Sequence, residues 1–302
     1  MSTYSSIESL LEGLRTHQYI SERGLATTLF LSLEMNRPLF LEGEAGVGKT
    51  EIAKVLAKML DTRLIRLQCY EGLDINSAVY EWNYARQMLQ IRLLEAEKQL
   101  DNTSIQQEIF GDAYLIKRPL LQSLQTDKPV VLLIDELDRA DEEFEAFLLE
   151  ILSDFQITIP EIGTIKAKHP PRVIITSNRT REIHDALKRR CLYHWVDYPS
   201  YQKELEIIQT KVPELPAALA EEVVAFLHEL RSTDLYKQPG VAETIDWARA
   251  LMALAQDRLD HAVVDDTLGI LLKYHDDITK VAGVHSSALL EQARLKLAEL
   301  GS

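Results

Sequence analysis

The chain has 302 residues, 46% of them apolar, with 33 Lys and Arg against 47 Asp and Glu, so its formal net charge is −14. A chain of this length can bury a sizeable core in one large domain or two smaller ones. A charged fraction of 26% with 7% aromatic residues excludes collagen-like and disordered classes. The acidic balance argues against a general nucleic-acid-binding surface, because such surfaces are basic.

The chain contains two cysteines, Cys69 and Cys191, which lack the CxxC spacing of metal sites. This usage argues against a disulfide framework and favours a reducing compartment. The longest apolar stretches, such as residues 25–33 and 130–134, are far shorter than the ~20 residues of a membrane helix. No charged segment followed by an apolar one opens the sequence. We therefore expect a cytoplasmic protein without a membrane span.

Short apolar runs separated by helix-like segments predict four strands in the first two-thirds of the chain. They are residues 38–42, 64–68, 130–134 and 172–176. Near-continuous apolar runs of this length are typical of a parallel sheet that helices cover on both faces. The sequence therefore predicts an α/β domain whose ligand site lies at the carboxyl ends of the strands.

Two additions to this domain are predicted. Residues 156–159 and 164–168 form a hairpin, because the loop between them contains Pro160 and Gly163. Residues 84–101 form one amphipathic helix, within an insert near 84–112, that packs through an apolar stripe; contact with a client is the alternative. The stripe consists of Met88, Ile91, Leu94 and Leu100.

Strand signals end near residue 199, and helical periodicity with Pro and Gly breaks continues to the C-terminus. We expect an α/β domain over residues 1–199 and a separate all-helical domain over residues 200–302.

The segment after the first predicted strand fits G-x-x-x-x-G-K-[ST] and opens a predicted helix. The residues expected to bind nucleotide are Gly43, Glu44, Ala45, Gly46, Val47, Gly48, Lys49, Thr50 and Glu51. The glycines let the backbone approach phosphate oxygens, and the helix places its positive dipole end at the anion. Lys49 would neutralise the β- and γ-phosphates, and the Thr50 hydroxyl would bind Mg²⁺. No N-K-x-D segment that would read guanine occurs, which favours ATP.

The strand at residues 130–134 runs into two carboxylates, Asp135 and Glu136. This pattern is what a nucleotide hydrolase needs at the end of the strand beside its phosphate loop. Asp135 would hold the Mg²⁺ shell, and Glu136 would activate the attacking water. We expect the acidic segment 137–143 to be solvated, to start a helix or to lie between subunits, rather than to add catalytic carboxylates.

Polar and basic residues follow the fourth predicted strand. Asn178 could hold the attacking water, and helix capping is the alternative. A helix-like segment at residues 180–187 ends in a basic cluster that includes Arg189 and Arg190. These arginines could reach the γ-phosphate of a neighbouring subunit, or they could form a solvated helix end.

In this order the motifs resemble the AAA+ ATPases and, among them, the MoxR family. The resemblance assigns Walker A to residues 43–50, Walker B to 130–136, sensor 1 to Asn178, an arginine finger to Arg189 or Arg190, and a lid to the helical region. A branch associated with carbon monoxide dehydrogenase maturation is similar over three segments, residues 64–74, 115–124 and 176–195.

The resemblance implies a homo-oligomeric ring, usually a hexamer, with ATP and Mg²⁺ as cofactors. It also implies a partner that carries a von Willebrand factor A domain and a client metalloenzyme that is remodelled or loaded with metal. One feature departs from the family pattern. The lid turn at Pro239 and Gly240 lacks the early sensor 2 arginine, and Arg249 follows about two helical turns later. Lys237 is a substitute that nothing in the sequence favours.

The function predicted from the sequence is ATP hydrolysis coupled to remodelling of a client protein complex. A nucleic-acid motor or helicase loader is the alternative, and the net charge of −14 weighs against it. A non-hydrolysing nucleotide switch is the third hypothesis, and Glu136 and Asn178 argue against it.

Overall fold

The computed structural model of the protein describes residues 4–96 and 109–300. In chain order, the strands are β1 (Leu39–Gly43), β2 (Leu64–Gln68), β3 (Tyr80–Trp82), β4 (Leu115–Lys117), β5 (Val131–Asp135), β6 (Gln156–Ile159), β7 (Gly163–Lys166), β8 (Arg172–Ser177) and β9 (Leu192–Val196).

The α-helices, in the same order, are α1 (Ile7–Thr16), α2 (Arg23–Met35), α3 (Lys49–Met59), α4 (Ile75–Ala78), α5 (Tyr84–Ala96), α6 (Pro119–Leu124), α7 (Glu142–Asp154), α8 (Asp185–Lys188), α9 (Tyr201–Lys211), α10 (Ala217–Arg231), α11 (Val241–Ala253), α12 (His261–Leu271), α13 (His275–Val281) and α14 (Val284–Leu300). Within the described ranges, no helix is long and apolar enough to cross a membrane.

The main sheet has the strand order β2-β5-β8-β1-β9. The pairs β2–β5, β5–β8 and β8–β1 are parallel, with Gln68 opposite Asp135 and Glu42 opposite Ser177. This register brings the carboxyl ends of β1, β2, β5 and β8 to one edge of the sheet. The predicted α/β architecture, a parallel sheet flanked by helices with a helical C-terminal region, is confirmed, and all four predicted strands belong to this sheet.

Burial explains which strands the sequence revealed. Every residue of β1 and β5 is buried, so each reads as a continuous apolar run. Strand β9 lies at the sheet edge, and most of its residues are partly exposed. Its sequence of Leu, Tyr, His, Trp and Val has no continuous apolar run, which is why it was not predicted.

The hairpin was predicted correctly, because β6 and β7 pair antiparallel with Gln156 opposite Lys166. A second antiparallel pair, β3 with β4, was not predicted, since each strand has three residues. Strand β3 precedes α5 along the chain and β4 follows it. The helix predicted over 84–101 is seen as α5, and residues 97–108, including Leu100, lie outside the described residues.

The predicted packing of α5 through an apolar stripe was wrong over its described part. Met88 is 53% exposed, and Ile91 and Leu94 are only partly buried. Among the side chains of α5 whose burial is described, residues 84–94, the buried one is the polar Gln87, whose amide donates to the carbonyl of Ile109 at 2.7 Å.

Contacts group the described residues into two compact units. The first consists of the described parts of Met1–Leu10, Arg23–Glu42 and Thr50–Trp195. The second consists of Leu11–Glu22, Gly43–Lys49 and the described part of Val196–Ser302. The division into domains at residues 1–199 and 200–302 stays a prediction.

The second unit has an apolar core of helices centred on Trp247. This side chain is fully buried, lies 5.4 Å from Phe226 between ring centroids, and donates its indole N–H to Thr267 at 2.8 Å. An aromatic side chain of this size contributes a large buried area, and its polar edge needs a partner when buried. Both requirements are met inside the helical unit.

A buried ion pair ties three helices of this unit together. Glu204 of α9 has no exposed surface and accepts two hydrogen bonds from Arg231 of α10, at 2.6 and 2.7 Å. It also accepts hydrogen bonds from Thr244 of α11 and contacts His228 at 3.1 Å. Burial alone would raise the pKa of Glu204, but the hydrogen bonds and the charge of Arg231 lower that pKa to about 2.

Replacing Arg231 with Met should lower the free energy of unfolding by about 3–5 kcal/mol near neutral pH, because it leaves a buried carboxylate without a counter-charge. The depressed pKa means that Glu204 stabilises the wild type above the ordinary carboxyl range, and this contribution is lost as the pH falls towards about 2. The deficit of the variant should therefore shrink in acid. Urea unfolding at several pH values measures both effects.

The matched control is the double variant Arg231→Met with Glu204→Gln, which removes both charges and should recover part of the lost stability. A single Arg231→Met variant as stable as the wild type at pH 7 would show that the pair does not hold these helices together.

Candidate functional site

The loop between β1 and α3 depends on glycines for its shape. The backbone φ of Gly46 is 78°, a conformation that L side chains rarely adopt. A Cβ on Gly43 would lie 2.1 Å from the carbonyl oxygen of Val196, and one on Gly240 would lie 2.8 Å from the Cα of Gly46. Side chains are therefore excluded at these close approaches within the second unit.

The start of α11 contacts this loop directly. The N–H of Ala242 donates to the carbonyl of Gly46 at 3.2 Å, and the Glu243 carboxylate accepts from the N–H of Gly240 at 2.9 Å. This is the region where the family resemblance assigns the sensor 2 arginine. Here backbone contacts and an acidic residue take that place, and the N–H of Lys237 donates to Asp277.

Lys49 lies in the loop with only 5% of its surface exposed. Its ammonium donates to the carbonyls of Gly43 and Glu44, at 2.8 and 2.5 Å. Helix α3 begins at this residue, and the first turn of a helix presents backbone N–H groups that have no partner inside the helix. A buried ammonium beside a helix N-terminus is an environment that favours an anion.

Asp135, the last residue of β5, is 1% exposed, and both its oxygens are engaged. Its Oδ1 accepts hydrogen bonds from the hydroxyls of Thr50, at 2.9 Å, and Thr176, at 2.6 Å. Its Oδ2 accepts two from the guanidinium of Arg66, at 3.0 and 2.5 Å. The first unit therefore brings together Thr50 and Asp135, as the sequence predicted from residues 85 positions apart.

Glu136 follows in a left-handed backbone conformation, with φ 55° and ψ 52°. This conformation costs a non-glycine residue roughly 1–2 kcal/mol, so the contacts around Glu136 must hold it. Its N–H donates to the Thr176 hydroxyl at 2.9 Å, and its Oε2 accepts from the Gln68 amide at 3.1 Å. Thr176 thus fixes the positions of both carboxylate residues.

Asp138 departs from the expectation of a solvated segment after the two carboxylates, whereas the end of that segment starts helix α7, as one of the expected alternatives has it. It is 3% exposed rather than solvated, because a turn of 3-10 helix over Leu137–Arg139 directs it inwards. Its oxygens accept from the backbone N–H of Asn178, at 3.1 Å, and from the N–H and hydroxyl of Thr180, at 2.9 and 2.7 Å. Asp138 therefore holds the loop that carries Asn178, whose side chain is half-buried.

The basic cluster follows a helix shorter than predicted. Helix α8 covers Asp185–Lys188, whereas 180–187 was expected, because side chains bind the backbone before it. The Glu145 carboxylate, for example, accepts from the N–H of His184 at 2.8 Å. Arg189 and Arg190 are both exposed, and the guanidinium of Arg190 donates to Ser153 at 2.5 Å.

Several residues of the site escaped the sequence analysis. They are Glu42, Arg66, Gln68, Asp138 and Thr176. Glu42 is a buried carboxylate that accepts from the Tyr193 hydroxyl at 3.0 Å. Burial is the main reason that the pKa of Tyr193 is raised to about 12; its hydrogen bond to Glu42 and the negative charge of Glu42 add to the effect. For Glu42 and Thr176, the available signal was a polar residue at the end of an apolar strand. In β2 the exposed side chains of Arg66 and Gln68 alternate with buried ones, so they carried no such signal.

The sequence matches the family described as the AAA domain, dynein-related subfamily, over residues 38–191, slightly more than half of the chain. The chain therefore belongs to this family of AAA+ ATPases.

The gas vesicle ATPase GvpN of Haloferax mediterranei is 26% identical, over 82% of this chain and 72% of that protein. An uncharacterised protein of Staphylococcus haemolyticus is 27% identical, over 79% and 85%. Among solved structures, the Thermotoga maritima RuvB Holliday junction branch migration motor is 17% identical, with a TM-score of 0.48 over 83% of this chain and 70% of that one.

Replacing Thr176 with Val should lower the free energy of unfolding by about 1–3 kcal/mol, because the buried carboxylate of Asp135 and the N–H of Glu136 both lose a partner. ATP hydrolysis should also fall, because the same hydroxyl holds both carboxylate residues in position. Thr176→Ser keeps the hydroxyl and should retain both properties. Denaturant unfolding and a steady-state ATPase assay test this, and a Val variant that matches the wild type in both would contradict the role given to Thr176.

Proposed function

We propose that this AAA+ protein hydrolyses ATP and uses the energy to remodel a client protein complex. The observation that carries the proposal is the hydrogen-bonded set of Thr50, Asp135, Thr176 and Glu136, which directly follows the phosphate-binding loop along the chain. A hydroxyl, a buried carboxylate and a second carboxylate are the groups that nucleotide hydrolysis uses, and their mutual contacts support the proposal.

ATP would bind through the loop residues 43–49 together with Thr50 and Glu51. Backbone N–H groups of the loop and the first turn of α3 would hold the phosphates, and Lys49 would turn its ammonium from loop carbonyls to phosphate oxygens. Thr50 and Asp135 offer the hard oxygen ligands that Mg²⁺ prefers, so the residues present fit this ion. Bound Mg²⁺ would neutralise charge on the phosphates.

The reaction needs a base and a group that orients the attacking water. Glu136 would accept a proton from this water, and its strained backbone fixes the direction of the carboxylate. Asn178 would orient the same water, because Asp138 holds the backbone of Asn178 near the end of β8. In this assignment Thr176 and Asp138 are positioning residues.

The arginine finger would come from a neighbouring subunit of a homo-oligomeric ring, and we propose a hexamer. The two candidates differ in their contacts within the chain. The guanidinium of Arg190 donates to Ser153 and to the carbonyl of Ala186 in its own chain. Arg189 is exposed and no hydrogen bond ties its guanidinium to another described residue, which favours Arg189 as the residue that reaches across.

The finer function rests on the resemblance to the MoxR family. It supports a chaperone role in metalloenzyme maturation, in the branch associated with carbon monoxide dehydrogenase, with a von Willebrand factor A-domain partner in the cytoplasm. The net charge of −14 disfavours the alternative, a nucleic-acid motor. Salt-dependent stimulation of the ATPase by DNA would support that alternative instead.

Replacing Glu136 with Gln keeps the shape of the side chain but removes the base, so ATP should bind and persist while hydrolysis falls by about 10²–10⁴-fold. Lys49→Ala is the matched control, since it should lose ATP affinity itself. Calorimetry and an ATPase assay separate the two effects. Hydrolysis at the wild-type rate in Glu136→Gln would exclude Glu136 as the base, and unchanged ATP affinity in Lys49→Ala would exclude the loop assignment.

Subunit mixing tests the finger, because a Glu136→Gln subunit lacks the base but donates arginines, whereas an Arg189→Ala subunit keeps the base. Neither should hydrolyse ATP alone, and mixed rings should regain activity at the shared interfaces. In other nucleotide hydrolases, an arginine finger stabilises charge in the transition state and raises the rate about 10³–10⁵-fold. The same experiment with Arg190→Ala is the comparison.

A fully active Arg189→Ala ring would move the role to Arg190. Inactive mixed rings with both variants would exclude a finger supplied by a neighbouring subunit.

A further inference from the structure

Arg66 binds Asp135 of the proposed hydrolysis site and is linked to Glu136 through Gln68, although no step of the reaction uses it. It belongs to β2, which forms one edge of the sheet, and its side chain is 51% exposed. Its guanidinium reaches the buried side chain of Asp135 on the neighbouring strand β5. An arginine that donates two hydrogen bonds to one buried carboxylate is a strong and directional contact.

The two oxygens of Asp135 have different partners. The hydroxyls of Thr50 and Thr176 occupy Oδ1, and Arg66 alone occupies Oδ2 with two N–H groups. Hydroxyl groups carry no net charge, so Arg66 supplies the positive charge next to this carboxylate. A divalent cation held by Thr50 would approach the same carboxylate from the Oδ1 side, where the positive charge of Arg66 on Oδ2 opposes it.

Arg66 also connects the two carboxylates of the site. Besides Asp135, its terminal nitrogen contacts the side-chain oxygen of Gln68 on the same strand. The Gln68 amide in turn donates to Oε2 of Glu136 at 3.1 Å. A change in the position of the guanidinium therefore alters the partner of Gln68 and, through it, the partner of Glu136.

We propose that Arg66 competes with Mg²⁺ for Asp135, so that this guanidinium sets the Mg²⁺ concentration at which nucleotide binds tightly. The proposal rests on the proposed function, since it needs Thr50 and Asp135 to hold the magnesium of a bound nucleotide. With Mg²⁺ held by Thr50 and Asp135, the contact of Arg66 with Oδ2 would weaken, and the contacts of Gln68 with Arg66 and Glu136 would change with it. Arg66 is therefore a positioning residue whose effect depends on the metal concentration.

The test is calorimetric titration of ADP into the full-length protein over a series of Mg²⁺ concentrations, beginning in EDTA. The Mg²⁺ concentration that gives half of the gain in ADP affinity is the quantity compared. Arg66→Gln removes the competing charge and should lower this concentration by roughly tenfold. The affinity for ADP in EDTA should stay close to that of the wild type, because the loop residues 43–49 are unchanged.

Two further variants sharpen the result. Arg63→Gln removes the same charge just before β2, where Arg63 contacts Gln122 at 3.3 Å instead of Asp135, and it should leave the Mg²⁺ requirement unchanged. Arg66→Lys keeps a cation but cannot donate the paired hydrogen bonds, so its Mg²⁺ requirement should fall between those of the wild type and Arg66→Gln. If Arg66→Gln fails to fold, the comparison of Arg66→Lys with the wild type decides.

An Arg66→Gln variant that needs as much Mg²⁺ as the wild type, or more, would overturn the competition. An Arg66→Lys variant with an undiminished Mg²⁺ requirement would overturn it as well. A wild-type protein that binds no ADP at any Mg²⁺ concentration would instead overturn the proposed function. A wild type with a clear Mg²⁺ dependence that Arg66→Gln leaves unaltered would overturn only the role of Arg66.

Discussion

The buried carboxylate of Asp135 is the constraint on which the candidate site depends. A charge with 1% exposure is stable only when its oxygens are fully bonded, and here four hydrogen bonds from three residues meet that need. The donors come from α3, β8 and β2, so folding of the first unit assembles them automatically. One of them, Thr176, also fixes the backbone of Glu136.

In the second unit, close backbone contacts hold the loop at residues 43–49 in place. Gly240 has no room for a side chain beside the backbone of Gly46, whose positive φ disfavours one there too, and Ala242 donates to the loop carbonyl. The ion pair of Glu204 with Arg231 anchors the same segment, because Arg231 also donates to the carbonyl of Pro239. Movement at the start of α11 therefore bears directly on the loop that we propose binds phosphate.

Sequence patterns revealed the elements whose chemistry is local. The apolar runs of β1, β5 and β8 and the glycine loop each carry their signal in a few consecutive residues, and the Thr50–Asp135 contact follows from where those strands end. The network around them could not be predicted, because it depends on register. Only the pairing of β2 with β5 shows that Arg66 and Gln68 point to the two carboxylates. Likewise, Asp138 reads as one more acid in an acidic segment until a tight turn directs it inwards.

The central claim is that Thr50, Asp135 and Glu136 form one magnesium-dependent site for ATP hydrolysis. The most direct measurement is a crystal structure of the Glu136→Gln variant with ATP and Mn²⁺, in which anomalous scattering locates the metal. We expect one Mn²⁺ ion at the Thr50 hydroxyl, beside Asp135 and the β- and γ-phosphates of an intact ATP. An ion bound elsewhere, or ATP bound away from the loop at residues 43–49, would contradict the account.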